Sequence, residues 1–194
     1  MKLIHINEQE ENILPIEKDY SINEIDRNDI EILQVYCGFI NANTGQLSIR
    51  LTPQKLLYTM GVMGGIYGLY FGSELVGGVA VKQVNFENNV KAGEIGYLFV
   101  LPDHRSLKNI RSLYTASLEN YRRFDVLYAV TNVKNRPMTV LLKRTPKMVF
   151  LFSAKSLYTP NMLNYWLSIY SNKKYSLSER ENMVRTEFED KIED

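Results

Sequence analysis

The sequence predicts an α/β fold of the α+β kind: a single domain with a mixed, mostly antiparallel sheet flanked by helices. Three observations lead to that expectation. Two apolar runs, Ile66–Phe71 and Leu75–Val81, flank the short turn Gly72-Ser73-Glu74 and read as a hairpin. The run Ile95–Val100 is apolar or aromatic at almost every position, as a strand covered on both faces requires, and it turns sharply into an amphipathic stretch. Helical and extended patterns follow one another without an internal repeat, a low-complexity tract or a linker that would separate two domains.

Taken in order, residues 1–20 mix acidic and apolar side chains around Pro15 and read as an arm whose order depends on docking. Asp26 can cap a helix with the stripe Ile30, Leu33, Cys37 and Ile40, broken by the Asn-Ala-Asn-Thr-Gly segment that ends at Gly45. Thr52-Pro53, an N-cap residue followed by Pro at the first helical position, starts a second helix that buries Leu56, Leu57 and Met60 and stops at Gly61. The hairpin follows, then a loop rich in Asn and Lys, then the strand at Ile95. Pro102 and Asp103 end that strand. A helix comes next, with its apolar stripe at Ile110, Leu113, Tyr114, Leu118 and Tyr121. Val126–Val130 and Met148–Phe152 read as strands on either side of a basic, Pro-containing stretch. Thr159-Pro160 is expected to open another helix carrying Met162, Leu163, Trp166, Leu167 and Tyr170. Ser178-Glu-Arg-Glu181 reads as the capping box of a charged C-terminal helix. The expected organisation is an arm over 1–20, the main domain over 21–158 and a C-terminal helical extension over 159–194.

Composition excludes several function classes. At 194 residues and 45% apolar content the chain can bury a core of ordinary size. Lys plus Arg (23) nearly cancels Asp plus Glu (22), so there is no strong nucleic-acid signal. The single Cys37 cannot form an internal disulfide and reads as a buried hydrophobe. His5 and His104 are too few for a zinc site to be expected, and no metal is. No apolar run approaches ~20 residues, so no transmembrane segment is expected. The N-terminus lacks a secretion signal and has Lys at its second position, not the Gly that N-myristoylation requires. The chain is therefore expected to be intracellular and cytoplasmic. Its richness in Asn, Lys, Ile and Tyr suits an AT-rich genome such as that of a large DNA virus or phage, so host cytoplasm or a virion is included.

The segment Glu94–Tyr114 carries most of the chemistry. A strand that delivers a basic loop onto a helix N-terminus presents unpaired backbone N–H groups to an anion, with Arg105 and Lys108 beside them. Phosphate is the natural ligand of such a device.

Here the residues resemble a family. Their order and local wording are similar to the acetyltransferase (GNAT) fold, and more closely to the N-terminal, acyl-CoA-binding half of eukaryotic protein N-myristoyltransferases. Leu51-Thr-Pro-Gln-Lys-Leu-Leu-Tyr58 resembles the family's Tyr-Ser-Pro-Glu-Phe-Leu-Leu-Trp helix start, and Glu74-Leu-Val-Gly-Gly78 its Lys-Leu-Val-Gly-Phe strand. Glu94-Ile-Gly-Tyr-Leu-Phe-Val100 with Arg105-Ser106 is similar to its Glu-Ile-Asn-Phe-Leu-Cys-Val and Leu-Arg-Ser-Lys-Arg signature, in register. Tyr128-Ala-Val-Thr131 with Pro137 resembles its Val-Tyr-Thr and downstream Pro. The likeness spans roughly residues 20–158.

The resemblance implies an acyl-CoA cofactor, myristoyl-CoA or acetyl-CoA, and an oxyanion hole formed by the backbone N–H groups of Tyr97 and Leu98. Acyl transfer to an amine builds charge on the thioester oxygen, and each preorganised donor lowers the barrier by about 2.7–4 kcal/mol. Phe99, Val100, Arg105, Ser106, Leu107, Lys108, Asn109 and Ile110 match the family's CoA-binding positions, and Thr131 matches an active-site Thr. The chain departs from the family in three ways. Leu107 stands where the CoA loop has a Lys, residues 1–20 lack the aromatic segment that folds over CoA, and the matching length is that of one half of a two-fold enzyme. In the family the second half supplies most of the peptide groove and a C-terminal carboxylate base, which Ile192-Glu-Asp194 does not match by sequence. A protein partner or a homodimer is the expected source of that half, with a peptide or protein as acceptor.

Each residue also has a plainer reading. The Arg105–Lys108 loop reads equally as a solvated helix start, Tyr97 and Leu98 as core strand, Thr131 as structural and His104 as a loop residue. Lys134, Arg136, Lys143, Arg144 and Lys147 read as a solvated face, and Gly61-Val-Met-Gly-Gly65 as a turn. Three functions stay open: an N-acyltransferase, a binder of acyl-CoA or an acylated protein without turnover, and a non-catalytic interaction or assembly protein such as a viral or phage structural component.

Overall fold

The computed structural model describes residues 19–43, 50–145, 147–156, 161–170, 172 and 174–189. Among them the chain forms β1 (Tyr20–Glu24), α1 (Ile30–Asn43), α2 (Pro53–Met60), β2 (Gly65–Phe71), β3 (Glu74–Asn85), β4 (Lys91–Val100), α3 (Leu107–Leu118), β5 (Val126–Asn132), α4 (Arg136–Lys143), β6 (Met148–Lys155), β7 (Met162–Ser168) and α5 (Leu177–Phe188). The strands make one sheet in the order β1-β2-β3-β4-β5-β7-β6. Every pairing is antiparallel except that of β4 with β5. The mixed, mostly antiparallel sheet flanked by helices is thus the architecture of the chain.

Strand alternation assigns the two faces. On β3, Val79 and Val81 enter a core with Leu113, Tyr114 and Leu118 of α3 and Leu142 of α4. Ala80, between them, enters a second core with Leu33, Tyr36 and Ile40 of α1 and Leu56 and Met60 of α2. Tyr128 and Tyr165 belong to a third core on that same second face, closed by Val184 and Phe188 of α5. Helices α3 and α4 therefore cover one face and α1, α2 and α5 the other.

The helix ends follow local chemistry. Thr52 Oγ1 accepts from Lys55 N at 3.3 Å, Pro53 holds the first position of α2, and Gly61 ends it at φ +58°. Helix α1 is capped by Asp29, whose Oδ1 accepts from Ile32 N at 3.1 Å, and not by the expected Asp26, which bonds Asn28 N in the preceding turn. The capping box of α5 is Ser176 with Glu179, two residues before the expected pair Ser178 and Glu181.

Three elements differ from expectation. The segment from Thr159 was expected to be helical; its residues Met162–Ser168 are instead β7, an interior strand between β5 and β6. Both faces of β7 are covered, so Asn164–Ser168 are all buried and no alternation survives to reveal the strand. The sheet thus runs past residue 158, and the part beyond it is not a purely helical extension. The basic stretch after β5 contains α4, started by Asn135 as N-cap, whose Oδ1 accepts from Met138 N. The arm expected over 1–20 ends in β1, an edge strand of which only Tyr20 and Ile22 are apolar. Residues 1–18, Gly45, Thr159-Pro160 and Ile192–Asp194 lie outside the described residues. No described helix is long and apolar enough to cross a membrane, and no described group of three or more His, Cys, Asp and Glu side chains could hold a metal.

Asp125 ties the entry of β5 to β4 and to the segment after β7. Its carboxylate, 3% exposed, accepts from Lys91 N at 3.0 Å and Asn172 Nδ2 at 2.8 Å, with Lys174 Nζ 3.6 Å away. Burial alone would push its pKa up, but the bonds from Asn172 and Lys91 N, with the Lys174 ammonium, hold it below the usual carboxylate value. A depressed folded pKa means stability that is present above the unfolded value and lost as pH falls through the folded one. Asp125→Ala should cost about 1–3 kcal/mol at neutral pH. In paired urea titrations the gap between wild type and variant should narrow below about pH 4; a gap that stays constant down to acid would contradict this account.

Candidate functional site

The site begins where β4 and β5 part. Their parallel ladder runs from Ala92↔Val126 to Ile95↔Ala129 and then stops. On its other side β4 stays paired with β3, but Gly78 faces Phe99 and Ala80 faces Gly96, so Val79 alone opposes both Tyr97 and Leu98. This is a β-bulge. Tyr97 adopts φ +50°, a left-handed conformation that costs a non-glycine residue roughly 1–2 kcal/mol.

A contact from the far face holds the bulge. The Tyr36 hydroxyl of α1 donates to the Tyr97 carbonyl at 2.8 Å. A trans peptide sets C=O and N–H on opposite sides, so the Leu98 N–H is directed away from α1. The Tyr36 ring reaches this position through the space above Gly78, where a Cβ would lie 2.5 Å from it.

The parted strands enclose a cleft of about 610 Å³. One wall is Ile95–Val100 of β4 and the other is Ala129–Asn132 of β5, with Ile110 and Tyr114 of α3 and Pro137, Met138 and Leu141 of α4 flanking them. Arg105, Ser106 and Leu107 stand at one end. The structure thus brings together Tyr97, Leu98, Phe99, Val100, Arg105, Ser106, Leu107, Ile110 and Thr131 of the residues singled out in the sequence; Lys108 and Asn109 do not line the cleft.

Most of the loop's polar groups are engaged within the loop. Arg105 N donates to Pro102 O, Ser106 N to His104 O and Ile110 N to Ser106 O, each at 3.1 Å. Ser106 is the N-cap of α3, and its Oγ accepts from Asn109 N at 3.0 Å. The Asn109 side chain is buried and donates to His104 O at 2.9 Å, which makes it a brace of the loop. Arg105 donates from Nε (3.3 Å) and Nη2 (3.0 Å) to Val100 O. The amides of Leu107 and Lys108, the first two of α3, make no hydrogen bond with the described residues. An anion at this helix end would find two free N–H groups, not six.

Other residues fall into place as supports. Thr131 Oγ1 accepts from Trp166 Nε1 at 3.1 Å and is buried. His104 Nδ1 shares a 3.0 Å hydrogen bond with the Tyr20 hydroxyl and packs against Phe71. Cys37 is buried, its thiol pushed up to about 11 by that burial. Lys134, Arg136, Lys143 and Arg144 are exposed, and Lys147 Nζ lies 4.7 Å over the Tyr170 ring.

Two features are new to the structure. Glu94 of β4 faces Lys82 across the β3–β4 ladder, with Oε1 2.5 Å from Nζ. Lys82 in turn lies 5.2 Å over the Tyr97 ring. Burial raises the Tyr128 pKa well above its usual value, and the Glu94 charge adds to the rise. The second feature is Tyr114, whose buried hydroxyl makes no hydrogen bond among the described residues. Cross-strand register creates the first and helix placement the second, and neither has a sequence motif.

No protein-family model matches the sequence, and no curated protein matches it. Solved structures do. A chain of the NatC complex bound to Gag peptide and CoA superposes with a TM-score of 0.60 at 16% identity, covering 77% of this chain and 98% of that one. This is the GNAT acetyltransferase fold. RimL, the ribosomal L7/L12 alpha-N-protein acetyltransferase in complex with coenzyme A, gives a TM-score of 0.62 at 12% identity over 82% of this chain and 99% of its own. The structure of yncA from Salmonella typhimurium with its cofactor acetyl-CoA gives 0.60 at 13% identity over 81% and 96%.

Proposed function

We propose that this chain is an acyl-CoA-dependent N-acyltransferase. The observation that carries the reading is the parting of β4 from β5 beyond Ile95, next to a bulge that swings the Tyr97–Leu98 peptide units out of the regular ladder. The CoA- and acetyl-CoA-bound neighbours support the choice of ligand.

In this reading the CoA diphosphate sits on the free amides of Leu107 and Lys108, with the Arg105 guanidinium beside it. The acyl-bearing arm runs down the cleft, and its thioester oxygen accepts from Tyr97 N–H and Leu98 N–H. An amine attacks the carbonyl carbon: the C–N bond forms, charge builds on the oxygen those amides hold, and the C–S bond breaks as thiolate leaves. The nitrogen must then lose a proton. We assign that proton to Glu94, which does not itself line the cleft but lies on β4 beside the bare Cα of Gly96, which does, and pairs with Lys82. The acceptor is a peptide or protein amine, its groove completed by a partner or a second copy of this chain. The N-myristoyltransferase resemblance favours a long acyl chain; the neighbours favour acetyl.

A second reading is binding without turnover, or use of the fold as an interaction surface. It is favoured by the loop's own bonding, which spends four of six amides internally, and by Leu107, an apolar side chain 57% exposed at the phosphate end.

Thermal shift with CoA, acetyl-CoA and myristoyl-CoA separates these readings. A ligand at ~100 times its dissociation constant adds about 2.7 kcal/mol of stability. No shift with any of the three eliminates acyl-CoA as the ligand, and a shift without thioester consumption in the presence of peptide amines leaves binding alone.

Leu107→Pro isolates the free amide. Proline suits the first position of a helix, and Ser106 before it is already extended at φ −119°, ψ 155°. The variant should keep its circular dichroism yet bind CoA about 10-fold or more weakly, because one charge-assisted donor is gone. Leu107→Ala, which keeps the amide, should bind like wild type; equal losses in the two variants would count against a diphosphate on this helix end. Glu94→Gln should lower kcat by about 10²-fold or more while leaving CoA affinity unchanged; an unaltered kcat would remove Glu94 from the mechanism.

A further inference from the structure

One residue that borders the cleft has a buried polar group with no partner among the described residues. Tyr114 is 1% exposed, its hydroxyl makes no hydrogen bond among the described residues, and it lines the cleft. Other tyrosines nearby are bonded: Tyr36 to the Tyr97 carbonyl, Tyr67 to Asn120 Nδ2, Tyr20 to His104. A buried hydroxyl left unpaired is destabilising, so its retention at the floor of a cleft points to an acceptor brought by the occupant.

Geometry narrows that acceptor. Leu107, Ile110 and Tyr114, spaced i, i+3 and i+7, form one stripe of α3, and all three line the cleft. At the rise of an α-helix, the Tyr114 backbone lies about 10 Å from the first residue of α3. Its side chain leans back toward the helix N-terminus. On the facing strand, Tyr97 lies roughly 10 Å from Val100, at the end of β4. The hydroxyl therefore falls between the anion end of the cleft and the bulge. Ile110, Ala129, Met138 and Leu141 make much of the lining apolar, and Thr131, Asn132 and Asn135 add polar groups on the β5 side. Burial pushes the Tyr114 pKa up, so the phenol keeps its proton and acts as a donor.

We propose that Tyr114 donates a hydrogen bond to an amide carbonyl in the middle of the arm of bound acyl-CoA, fixing the depth at which the thioester comes to rest. This rests on the acyl-CoA reading of the cleft. Between its diphosphate and its sulfur, that ligand carries amide carbonyls on an otherwise apolar chain, which suits a phenol donor set among Ile110, Met138 and Leu141.

The test is Tyr114→Phe, measured by calorimetry against CoA, acetyl-CoA and adenosine 3′,5′-bisphosphate, which lacks the arm. The variant should bind CoA and acetyl-CoA about 3- to 10-fold more weakly, by the same factor for both because the amides are common to them. It should bind the bisphosphate like wild type and melt no lower when empty, since the ring that fills the core remains. Equal CoA affinity in wild type and variant would overturn the proposal, as would an equal loss for the bisphosphate or a loss confined to acetyl-CoA. Failure of the wild-type protein itself to bind CoA would instead defeat the acyl-CoA reading, and this inference with it.

Discussion

Everything that distinguishes this sheet from an ordinary mixed sheet depends on the point where β4 and β5 stop pairing. A parallel ladder satisfies backbone groups only while the strands remain adjacent. After Ile95↔Ala129 they separate, while β5 stays paired along its other edge with β7 from Tyr128 to Asn132. Helix α3 bridges the two strands above the gap, and α4 packs beside it. The gap is thus a cleft within the sheet with peptide edges on both sides, formed without using either edge strand, β1 or β6.

Much of this was legible in the sequence, for reasons that can be named. The hairpin, the second half of β4 and the stripe of α3 each carry a strong period and clear punctuation. Thr52-Pro53 fixed the start of α2 because its N-cap needs no tertiary partner. The same local logic misplaced other ends. Ser176 and Ser178 each precede a Glu by three residues, so the capping box had two registers, and Asp26 and Asp29 both precede α1. Strand β7 was hidden because burial on both faces removes alternation, leaving apolar spacing that also suits a helix. In β1 two apolar residues were too few to stand out.

The site was legible as a stretch of chain but not as chemistry. Pattern and resemblance pointed to Tyr97, Leu98 and the loop from Arg105 to Ile110, and most of these residues do line one cleft. Which amides are free follows from hydrogen bonds that no pattern reports: Ser106 engages Asn109 N, and the loop turns engage Arg105 N and Ser106 N. Lys82 and Glu94 are 12 residues apart and meet only because the register of β3 and β4 pairs them directly. Tyr114 looked like one more apolar position of α3. Only the absence of a partner for its hydroxyl among the described residues sets it apart.

Gly78 shows how far control of the cleft extends. The Tyr36 ring occupies the place a methyl group on Gly78 would need, and through that opening its phenol grips the Tyr97 carbonyl. The opening works like a keyhole cut through the sheet, with the key entering from the back and the latch at the front. Adding a single carbon to Gly78 would expel the key, free the latch and loosen the left-handed kink that shapes the front. Damage to the reverse side would thus reshape the front, from a residue that does not line the cleft.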